Sequence, residues 1–223
     1  MNSIERRVKA ARFPVALTGA GISAPSGIPT FQGTWKGRPL RDFLTRRYFH
    51  AHPEEFFELY MEMVGWCRKP VNAAHLKLAE WGLPVITQNI DGLHTRAGSE
   101  NIIEMHGTLS RVVCRRCGKV MQAEDFVERI RPAYDPGDRA AMRAAIKCDC
   151  GKIFDTDVVL YDDAVHGVEE AWALAEKCDL MLVVGSSLTT YPAAMLPEVA
   201  ARHGAQIILV NDDCIRQLTE DDE

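Results

Sequence analysis

A glycine-rich segment near the start of the chain has the composition of a phosphate-binding turn. Gly19, Gly21 and Ala24 form a Gly-x-Gly-x-x-Ala pattern directly after the apolar run at residues 14–17. Such a turn between a strand and a helix presents backbone N–H groups, and the helix N-terminus adds a partial positive charge. The pattern therefore predicts a nucleotide phosphate site, although glycines at a strand end are also typical of a simple tight turn.

The segment that follows these glycines departs from the pattern of an ordinary dehydrogenase. That fold needs an acidic residue about 20 positions further on, at the end of a second strand, to bind ribose. Asp42 lies in this region, but no apolar run leads into it. The sequence therefore disfavours an ordinary dehydrogenase, and the segment after the glycines needs another explanation.

Four of the seven cysteines form two close pairs. Cys114 and Cys117 make the first pair, and Cys148 and Cys150 make the second, 30 residues further along the chain. Two such pairs can supply four thiolates to a tetrahedral zinc ion, and a glycine follows each pair, as suits a tight turn. Four thiolates leave no open position for water, so the predicted zinc is structural. The alternative is four unrelated reduced cysteines, since an odd total argues against a disulfide framework.

Polar residues that could move protons follow two further strand-like segments. Gln88, Asn89 and Asp91 follow one apolar run, and His106 follows another. A histidine beside a nucleotide site is a candidate general base, because its pKa lies near neutrality. His106 is the stronger candidate and His94 the weaker one, and a purely structural role is the alternative for both.

Apolar runs alternate with helical patterns over most of the chain. The main predicted strands are residues 14–17, 84–87, 180–184 and 207–210, and the predicted helices are 73–81, 169–176 and 193–202. This alternation is typical of a parallel sheet with helices on both faces. Ligands bind at the carboxyl ends of such strands, so we expect the turns after these runs to meet at one edge.

Length and charge limit the possible classes of protein. The 223 residues are 47% hydrophobic, which is enough for one core and a small appended module. The net charge of -5 gives no reason to expect nucleic acid or an anionic membrane as a partner. No apolar run approaches the roughly 20 residues of a membrane helix. The expected location is the cytoplasm, and the oligomeric state stays open.

Two regions interrupt the alternation of strands and helices. Residues 31–70 contain aromatic-rich helical patterns, which are more typical of a helix core than of cofactor contact. Residues 110–155 contain the cysteine pairs and a charged helical pattern at 123–131. We expect both regions to be insertions into the main sheet domain rather than independent domains.

Taken together, these segments resemble the sirtuin family of NAD-dependent protein deacylases. The resemblance rests on motifs that occur in the order typical of the family and cover most of the chain. They are residues 19–23 (GAGIS), 26–31 (SGIPTF), 87–94 (TQNIDGLH), 106–107 (HG), the four cysteines, 185–188 (GSSL) and 210–211 (VN).

The resemblance implies one catalytic domain over residues 1–223, with a cleft between a large Rossmann-like part and a small zinc-binding module. The Rossmann-like part is expected at 1–30, 71–109 and 156–223, the cofactor loop and helical insertion at 31–70, and the zinc-binding module at 110–155. NAD and an acyl-lysine peptide are expected to enter the cleft from opposite sides. One structural Zn²⁺ is expected per chain.

The resemblance also implies a mechanism and the residues that perform it. In the family the acyl oxygen attacks the ribose carbon that bears nicotinamide, and the products are lysine, nicotinamide and O-acyl-ADP-ribose. His106 is the implied base, with Asn89 and Asp91 on the nicotinamide side. The implied NAD-binding residues are Gly19, Ala20, Gly21, Ser23, Thr30, Phe31, Gln88, Asn89, Ile90, Asp91, Gly185, Ser186, Ser187, Asn211 and Asp212. The implied peptide-binding residues are Val158, Val159, Leu160 and Tyr161, and the implied metal ligands are Cys114, Cys117, Cys148 and Cys150.

Three positions depart from the sirtuin pattern near the expected substrates. Gln32 stands where the family has arginine, and this change is expected to slow catalysis or alter how nicotinamide leaves. Residues 158–163 stand where Phe-Gly-Glu is usual, and peptide pairing through the backbone is expected to survive. Relatives continue further beyond Asn211, so part of the adenine pocket is expected to be missing or built from residues 212–214.

The choice of acyl group can be approached through one local match. Sirtuins that remove succinyl or malonyl groups carry Tyr-x-x-Arg in the helical insertion, where the arginine binds the acyl carboxylate. The nearest match here is Tyr60 with Met63 in the place of the arginine. This match predicts an uncharged acyl group.

The main hypothesis is therefore an NAD-dependent protein-lysine deacylase, with a compact microbial deacetylase favoured. One alternative keeps the fold and changes the reaction to NAD hydrolysis or ADP-ribosyl transfer. A second alternative is a non-catalytic NAD-sensing or zinc-scaffold module.

Overall fold

The computed structural model of the chain describes residues 3–30, 33–135 and 138–211. The strands in these residues are Pro14–Thr18 (β1), Thr34–Trp35 (β2), Arg38–Pro39 (β3), Val85–Thr87 (β4), Ile102–Glu104 (β5), Gly107–Val113 (β6), Val120–Gln122 (β7), Asp155–Val158 (β8), Leu180–Val184 (β9) and Gln206–Val210 (β10). The α-helices are Ser3–Ala10 (α1), Arg46–Ala51 (α2), Pro53–Val64 (α3), Ala73–Glu80 (α4), Leu93–Ala97 (α5), Ala123–Ile130 (α6), Arg139–Ala145 (α7), Val168–Lys177 (α8) and Leu196–Arg202 (α9). Within these ranges no helix combines the length and the apolar character that crossing a membrane requires.

A five-stranded parallel sheet forms the larger of two lobes. Its strand order is β10-β9-β1-β4-β5, so the chain leaves the central strand β1 first toward one edge and later toward the other. In such a sheet, the crevice at the carboxyl ends beside the central strand is the usual ligand site. The predicted α/β fold and its parallel sheet are confirmed.

Helices cover both faces of this sheet, which explains why its central strands β1, β4 and β9 are almost entirely apolar. Val15 and Leu17 of β1 pack on one face with residues of α8 and α9. Ala16 lies on the opposite face in a second cluster with Val8 of α1 and Leu78 of α4. The side-chain alternation within one short strand therefore builds two separate cores.

The smaller lobe combines the two regions that interrupt the strand–helix alternation. Phe57 and Tyr60 of α3 pack against Phe126 of α6, and Phe126 also contacts Phe154. These rings belong to one continuous core that runs from the helical insertion to the cysteine-bearing segment. The prediction that the aromatic pattern marks a helix core is confirmed.

A three-stranded antiparallel sheet in the order β7-β6-β8 completes the small lobe. It begins at Gly107 and ends at Val158, slightly beyond the bounds expected for a zinc-binding module. We propose the division into a Rossmann-like part, a helical insertion and a zinc-binding module, with the last two packed together as the small lobe.

The segment after β1 differs from the expected α-helix. Ala20–Ser26 forms a 3-10 helix with Pro25 inside it, and Gly27 ends it in the left-handed conformation at φ 80°. Pro25 cannot donate a backbone hydrogen bond to a continuing α-helix, and the tighter turn accompanies a close contact between Gly21 and Gly185.

Candidate active site

The loops at the carboxyl edge of the large sheet meet as expected, and backbone hydrogen bonds tie them together. Gly19 N–H donates to Val184 O at 3.1 Å, and Gln88 N–H donates to Thr18 O at 3.0 Å. Gly185 N–H donates to Val210 O at 3.0 Å. The loops after β1, β4, β9 and β10 therefore form one continuous surface.

The glycines in these loops allow the backbones to touch. A Cβ on Gly185 would lie 2.1 Å from Ile22 N, and one on Gly21 would lie 2.7 Å from Gly185 Cα. Gly21 N–H donates to Gly185 O at 2.8 Å, so this amide is used within the protein. These glycines therefore join the loops after β1 and β9 directly.

A buried hydrogen-bond network fixes the polar residues that follow β4. Ser23 Oγ donates to Asp91 Oδ2 at 2.7 Å, and Asn89 Nδ2 donates to Ser23 Oγ at 3.1 Å and to Gly19 O at 3.1 Å. Leu93 N–H donates to Asp91 Oδ1 at 2.9 Å. Asn89 and Asp91 are each 4% exposed, so the network holds them against the glycine segment with little access for water.

Two histidines lie beneath this network, and their partners define their tautomers. His75 Nε2 lies 3.4 Å from Ser23 Oγ, whose single hydrogen is already given to Asp91. His94 Nε2 lies 2.9 Å from Thr18 Oγ1, whose hydrogen goes to Thr87. His75 therefore carries its hydrogen on Nε2, because Ser23 Oγ can only accept, and the assigned direction of the Thr18–Thr87 bond gives His94 the same tautomer.

Burial keeps both of these histidines neutral. The Nδ1 atoms of His75 and His94 are buried without a partner among the described residues, and the rings lie 4.9 Å apart. Burial lowers the pKa of His94 to about 3, with a further contribution from His75, and burial also lowers the pKa of His75. We conclude that both histidines support the site and that neither one exchanges protons with a substrate near neutral pH.

His106 has the geometry of a general base. Its Nδ1 lies 2.9 Å from Gln88 O, and a carbonyl oxygen can only accept, so Nδ1 carries the hydrogen. In the neutral ring, Nε2 therefore carries a free lone pair. Burial lowers the pKa of His106 more than the hydrogen bond to Gln88 raises it, so the ring is neutral at pH 7.

The backbone beyond His106 also depends on a glycine. Gly107 has φ 71°, and a Cβ there would lie 1.9 Å from Asp157 O. His106 O accepts from Val159 N–H at 2.8 Å. The glycine thus allows the segment that carries the histidine to pack directly on the chain that leaves β8.

A cleft of about 190 Å³ opens at His106 between the two lobes. The lining includes all four residues implied to bind peptide, together with residues that the sequence analysis did not single out. The lining residues are Leu44, Ile90, His106, Val158, Val159, Leu160, Tyr161, Asp162, Asp163, Val165, Thr190 and Tyr191. Thr190 and Tyr191 follow the Gly-Ser-Ser-Leu motif after β9, which was a usable signal, whereas nothing in the sequence marks Leu44.

The residues chosen to judge acyl preference lie elsewhere. Tyr60 and Met63 are both fully buried in the small-lobe core. Tyr60 Oη donates to Leu109 O at 3.0 Å. The interpretation of Tyr60 and Met63 as an acyl-recognition pair is therefore not supported by their position, because both side chains are used for packing.

Two more of the implied NAD-binding residues, Ser186 and Asn211, are hydrogen-bonded at the sheet edge. Ser186 Oγ donates to Gln88 Oε1 at 2.8 Å, and Asn211 Nδ2 donates to Ser186 O at 2.9 Å. Ser187 and Thr30 are exposed, and the Ser187 hydroxyl lies 2.9 Å from that of Thr189. Phe31, Gln32 and residues 212–214 lie outside the described residues.

The four paired cysteines form a cluster that fits a metal ion. Their sulfur atoms all lie within 4.8 Å of one another, with Cys114 and Cys150 at 3.4 Å and Cys117 and Cys148 at 3.6 Å. Tetrahedral zinc with Zn–S bonds of about 2.3 Å places sulfurs about 3.8 Å apart. The donor set and its dimensions therefore suit a structural zinc ion, as the cysteine spacing predicted.

Two matching turns hold these sulfurs in place. Gly118 N–H donates to Cys114 O at 2.9 Å, and Gly151 N–H donates to Cys148 O at 2.8 Å. Both glycines have positive φ, 72° and 83°. Backbone N–H groups, first that of Cys117, lower the pKa of the Cys114 thiol, while the backbone N–H of Lys119 opposes a rise in the pKa of Cys117 that the neighbouring thiols of Cys114 and Cys148 cause.

The fold and the site define a nucleotide-binding α/β protein with a zinc module and an interlobe cleft. The chain matches the Sir2 family over residues 19–192. It is 38% identical over 208 residues to an NAD-dependent protein deacetylase of Sulfolobus acidocaldarius, which covers 89% of this chain and 79% of the relative. A deacetylase of Thermotoga maritima is 37% identical over 211 residues, covering 90% of this chain and 82% of that one.

Solved structures show the same relationship over almost the whole chain. A Sir2 structure with a p53 peptide and NAD⁺ superposes with a TM-score of 0.83 at 32% identity, covering 99% of this chain and 98% of the other. A Sir2 structure bound to a propionylated peptide has a TM-score of 0.80 at 33% identity, with the same coverage. The chain belongs to the Sir2 family, as its motifs indicated.

Proposed function

We propose that this protein is an NAD-dependent protein-lysine deacylase, and that acetyl-lysine is its favoured substrate. The observation that carries the proposal is the position of His106. Its free Nε2 belongs to a ring that lines the interlobe cleft, while its Nδ1 is bonded to the loop that carries Asn89 and Asp91. One residue thus connects the candidate peptide site with the candidate nucleotide site.

NAD fits the polar groups at the sheet edge. Asn89 Oδ1 and Asn211 Oδ1 are buried acceptors without a partner among the described residues. Buried polar atoms are almost always satisfied, so a ligand that brings donors suits both positions. We propose that the glycine segment, Ser186 and Asn211 hold the phosphates and the adenosine half, with Asn89 and Asp91 on the nicotinamide side.

Each group in the candidate site has a separate role in the proposed reaction. NAD supplies an electrophilic ribose carbon and nicotinamide as the leaving group. His106 Nε2 accepts a proton from a hydroxyl group, a role that its neutral tautomer allows near pH 7. The Ser23–Asn89–Asp91 network keeps the amide and the carboxylate in fixed positions. Val158–Tyr161 bind the peptide, and lysine, nicotinamide and O-acyl-ADP-ribose are the products.

The lining of the cleft favours an uncharged acyl group. Leu44, Ile90, Val158 and Leu160 give it an apolar wall. Among the described lining residues none is lysine or arginine, while Asp162 and Asp163 are both present. A carboxylate-bearing acyl group would therefore be desolvated without a cationic partner.

A cytoplasmic location is part of the same proposal. Four thiols grouped as zinc ligands suit a reducing compartment, where thiolates persist and disulfides are rare. Fractionation of the native host cells tests this location, and recovery outside the cytoplasmic fraction contradicts it.

The deciding experiment measures nicotinamide released from NAD by the purified protein, with and without an acetyl-lysine peptide. A deacylase gives release that requires the peptide and equals the lysine formed. Release without peptide favours the NAD hydrolase on the same fold. NAD binding without turnover on acetyl, propionyl and longer acyl peptides favours the non-catalytic module.

A further inference from the structure

A cluster of charged side chains lies behind the peptide-binding segment, between the two lobes. Arg46 of α2 donates to both oxygens of Asp163 at 2.9 and 2.6 Å. The same guanidinium donates to both oxygens of Asp155 at 2.8 and 2.9 Å. One arginine therefore joins the helical insertion, strand β8 and the end of the peptide-binding segment.

The position of these groups explains the strength of the contact. Asp155 is 9% exposed, and the side chain of Arg46 is 21% exposed. Hydrogen bonds from Arg46 lower the pKa of Asp163 against the opposing effect of burial, and the two carboxylates raise the pKa of Arg46. Bidentate arginine–carboxylate pairs fix geometry as well as charge.

The backbone beside this cluster is tied to the same two elements. Arg46 N–H donates to Tyr161 O at 3.1 Å, and Tyr161 N–H donates to Leu44 O at 2.9 Å. Leu160 N–H donates to Asp163 Oδ2 at 3.0 Å, the oxygen that Arg46 Nη2 also contacts. The segment at 158–163 is therefore held both by main-chain bonds to residues 44–46 and, through Asp163, by the guanidinium of Arg46.

Asp162 shows that this segment is held in an unfavourable backbone conformation. Its φ of 79° lies in the left-handed region that non-glycine residues seldom adopt. Such a conformation persists only where the surroundings determine it. The contacts of Asp163 and Tyr161 on either side supply that constraint.

We propose that Arg46 is the positioning residue of the peptide site, and that it sets peptide affinity by holding residues 158–163 against β8 and α2. This inference rests on the proposed deacylase function for its kinetic readout. Arg46 does not line the cleft itself, so it acts through the segment that does. A second cavity of about 250 Å³ lies behind the segment, and its lining includes Arg46 and Arg115. The charged cluster is therefore accessible to water and salt.

The test compares Arg46→Ala and Arg46→Lys with Arg143→Ala. Arg143 pairs with Glu54 at 3.1 Å elsewhere in the small lobe, so it is a matched control. We expect Arg46→Ala to raise the peptide KM about tenfold, with kcat and the KM for NAD within about twofold of wild type. Arg46→Lys is expected to lie between the two, since a lysine cannot make the bidentate pair with Asp163 and contact Asp155 as well. Arg143→Ala is expected to keep the wild-type peptide KM.

Hydrogen exchange provides a second readout that does not depend on activity. The amides of Leu160 and Tyr161 are expected to exchange at least tenfold faster in Arg46→Ala, with the sheet strands unchanged. Unchanged exchange, or an unchanged peptide KM in both Arg46 variants, overturns the proposal. A joint fall in kcat, peptide affinity, NAD affinity and Tm also overturns it, because that pattern indicates a general loss of structure. A wild-type protein inactive on every acyl peptide contradicts the proposed function instead, while exchange still decides the role of Arg46.

Discussion

Two regions of the candidate site are held by different physical means: the buried polar network at the sheet edge, called the sheet wall below, and the candidate peptide segment that lines the cleft, called the peptide wall. On the sheet side, Ser23, Asn89 and Asp91 are fixed by buried hydrogen bonds, with neutral His75 and His94 beneath them. On the small-lobe side, residues 158–163 are fixed by ion pairs that border an open cavity of about 250 Å³. The sheet wall therefore depends on excluding water, and the peptide wall depends on charge.

Because the two walls are held differently, we expect acid and salt to affect them differently. Buried neutral histidines must stay unprotonated, so acid acts on the sheet wall. Partly exposed ion pairs are screened by salt, so ionic strength acts on the peptide wall. The zinc cluster lies in the same lobe as the peptide wall, and its loss is expected to remove that wall altogether.

Removing the metal should have the largest effect. We expect one zinc per chain by elemental analysis, and we expect Cys148→Ser or strong chelation to unfold the small lobe, because structural zinc supplies folding free energy. Cys178→Ser is the matched control, since Cys178 is also buried but lies in the sheet lobe. A metal-free protein that keeps its Tm and its peptide affinity contradicts this prediction.

Lowering the pH should have the second largest effect, because it protonates a buried histidine of the sheet wall. The pKa of His94 is lowered to about 3, below its value of about 6.5 in the unfolded chain, so the unfolded state binds more protons below pH 6.5. Stability is therefore full above pH 6.5 and falls as pH is lowered toward 3, by an amount on the order of 4 kcal/mol. Urea unfolding at several pH values measures this.

The control for the acid prediction is an exposed histidine. His94→Gln is expected to flatten the dependence on pH, whereas His203→Gln, at an exposed position in the turn after α9, is expected to keep it. An equal slope in His94→Gln and wild type contradicts the assignment of this effect to the sheet wall.

Salt should have the smallest effect, on the peptide wall alone. Raising NaCl from about 0.05 to 0.5 M is expected to increase the peptide KM about threefold, because partly exposed pairs contribute up to about 1 kcal/mol and are screened. The KM for NAD should stay within about twofold. If salt raises the KM for NAD and leaves the peptide KM unchanged, the assignment of the salt-sensitive ion pairs to the peptide wall is wrong.

Local patterns in the sequence were sufficient for much of this structure. The apolar run at 180–184 became β9 with the same bounds, because a fully buried parallel strand needs nothing but apolar residues. The glycines after each cysteine pair adopt positive φ, as tight turns at a metal site require. His106 could be singled out because it follows an apolar run of the predicted sheet, whose carboxyl edge was expected to carry the nucleotide site.

Contacts between distant residues were beyond this kind of prediction. Arg46 meets Asp155 and Asp163 across 109 and 117 residues, so no local spacing marks the cluster. The 3-10 helix after β1 reflects the close approach of Gly21 to Gly185, which is a tertiary effect. Tyr60 and Met63 matched an acyl-recognition motif by local spacing, but both side chains are buried in the small-lobe core, which local spacing alone does not show.

The most direct test of the central claim is acyl-peptide-dependent nicotinamide release by His106→Ala, measured beside NAD binding. We expect a loss of about 10²- to 10⁴-fold in turnover, the usual contribution of a general base, with NAD affinity and Tm retained. His203→Ala is expected to keep full activity. Turnover within tenfold of wild type in His106→Ala would contradict the role of His106 as the base of this site.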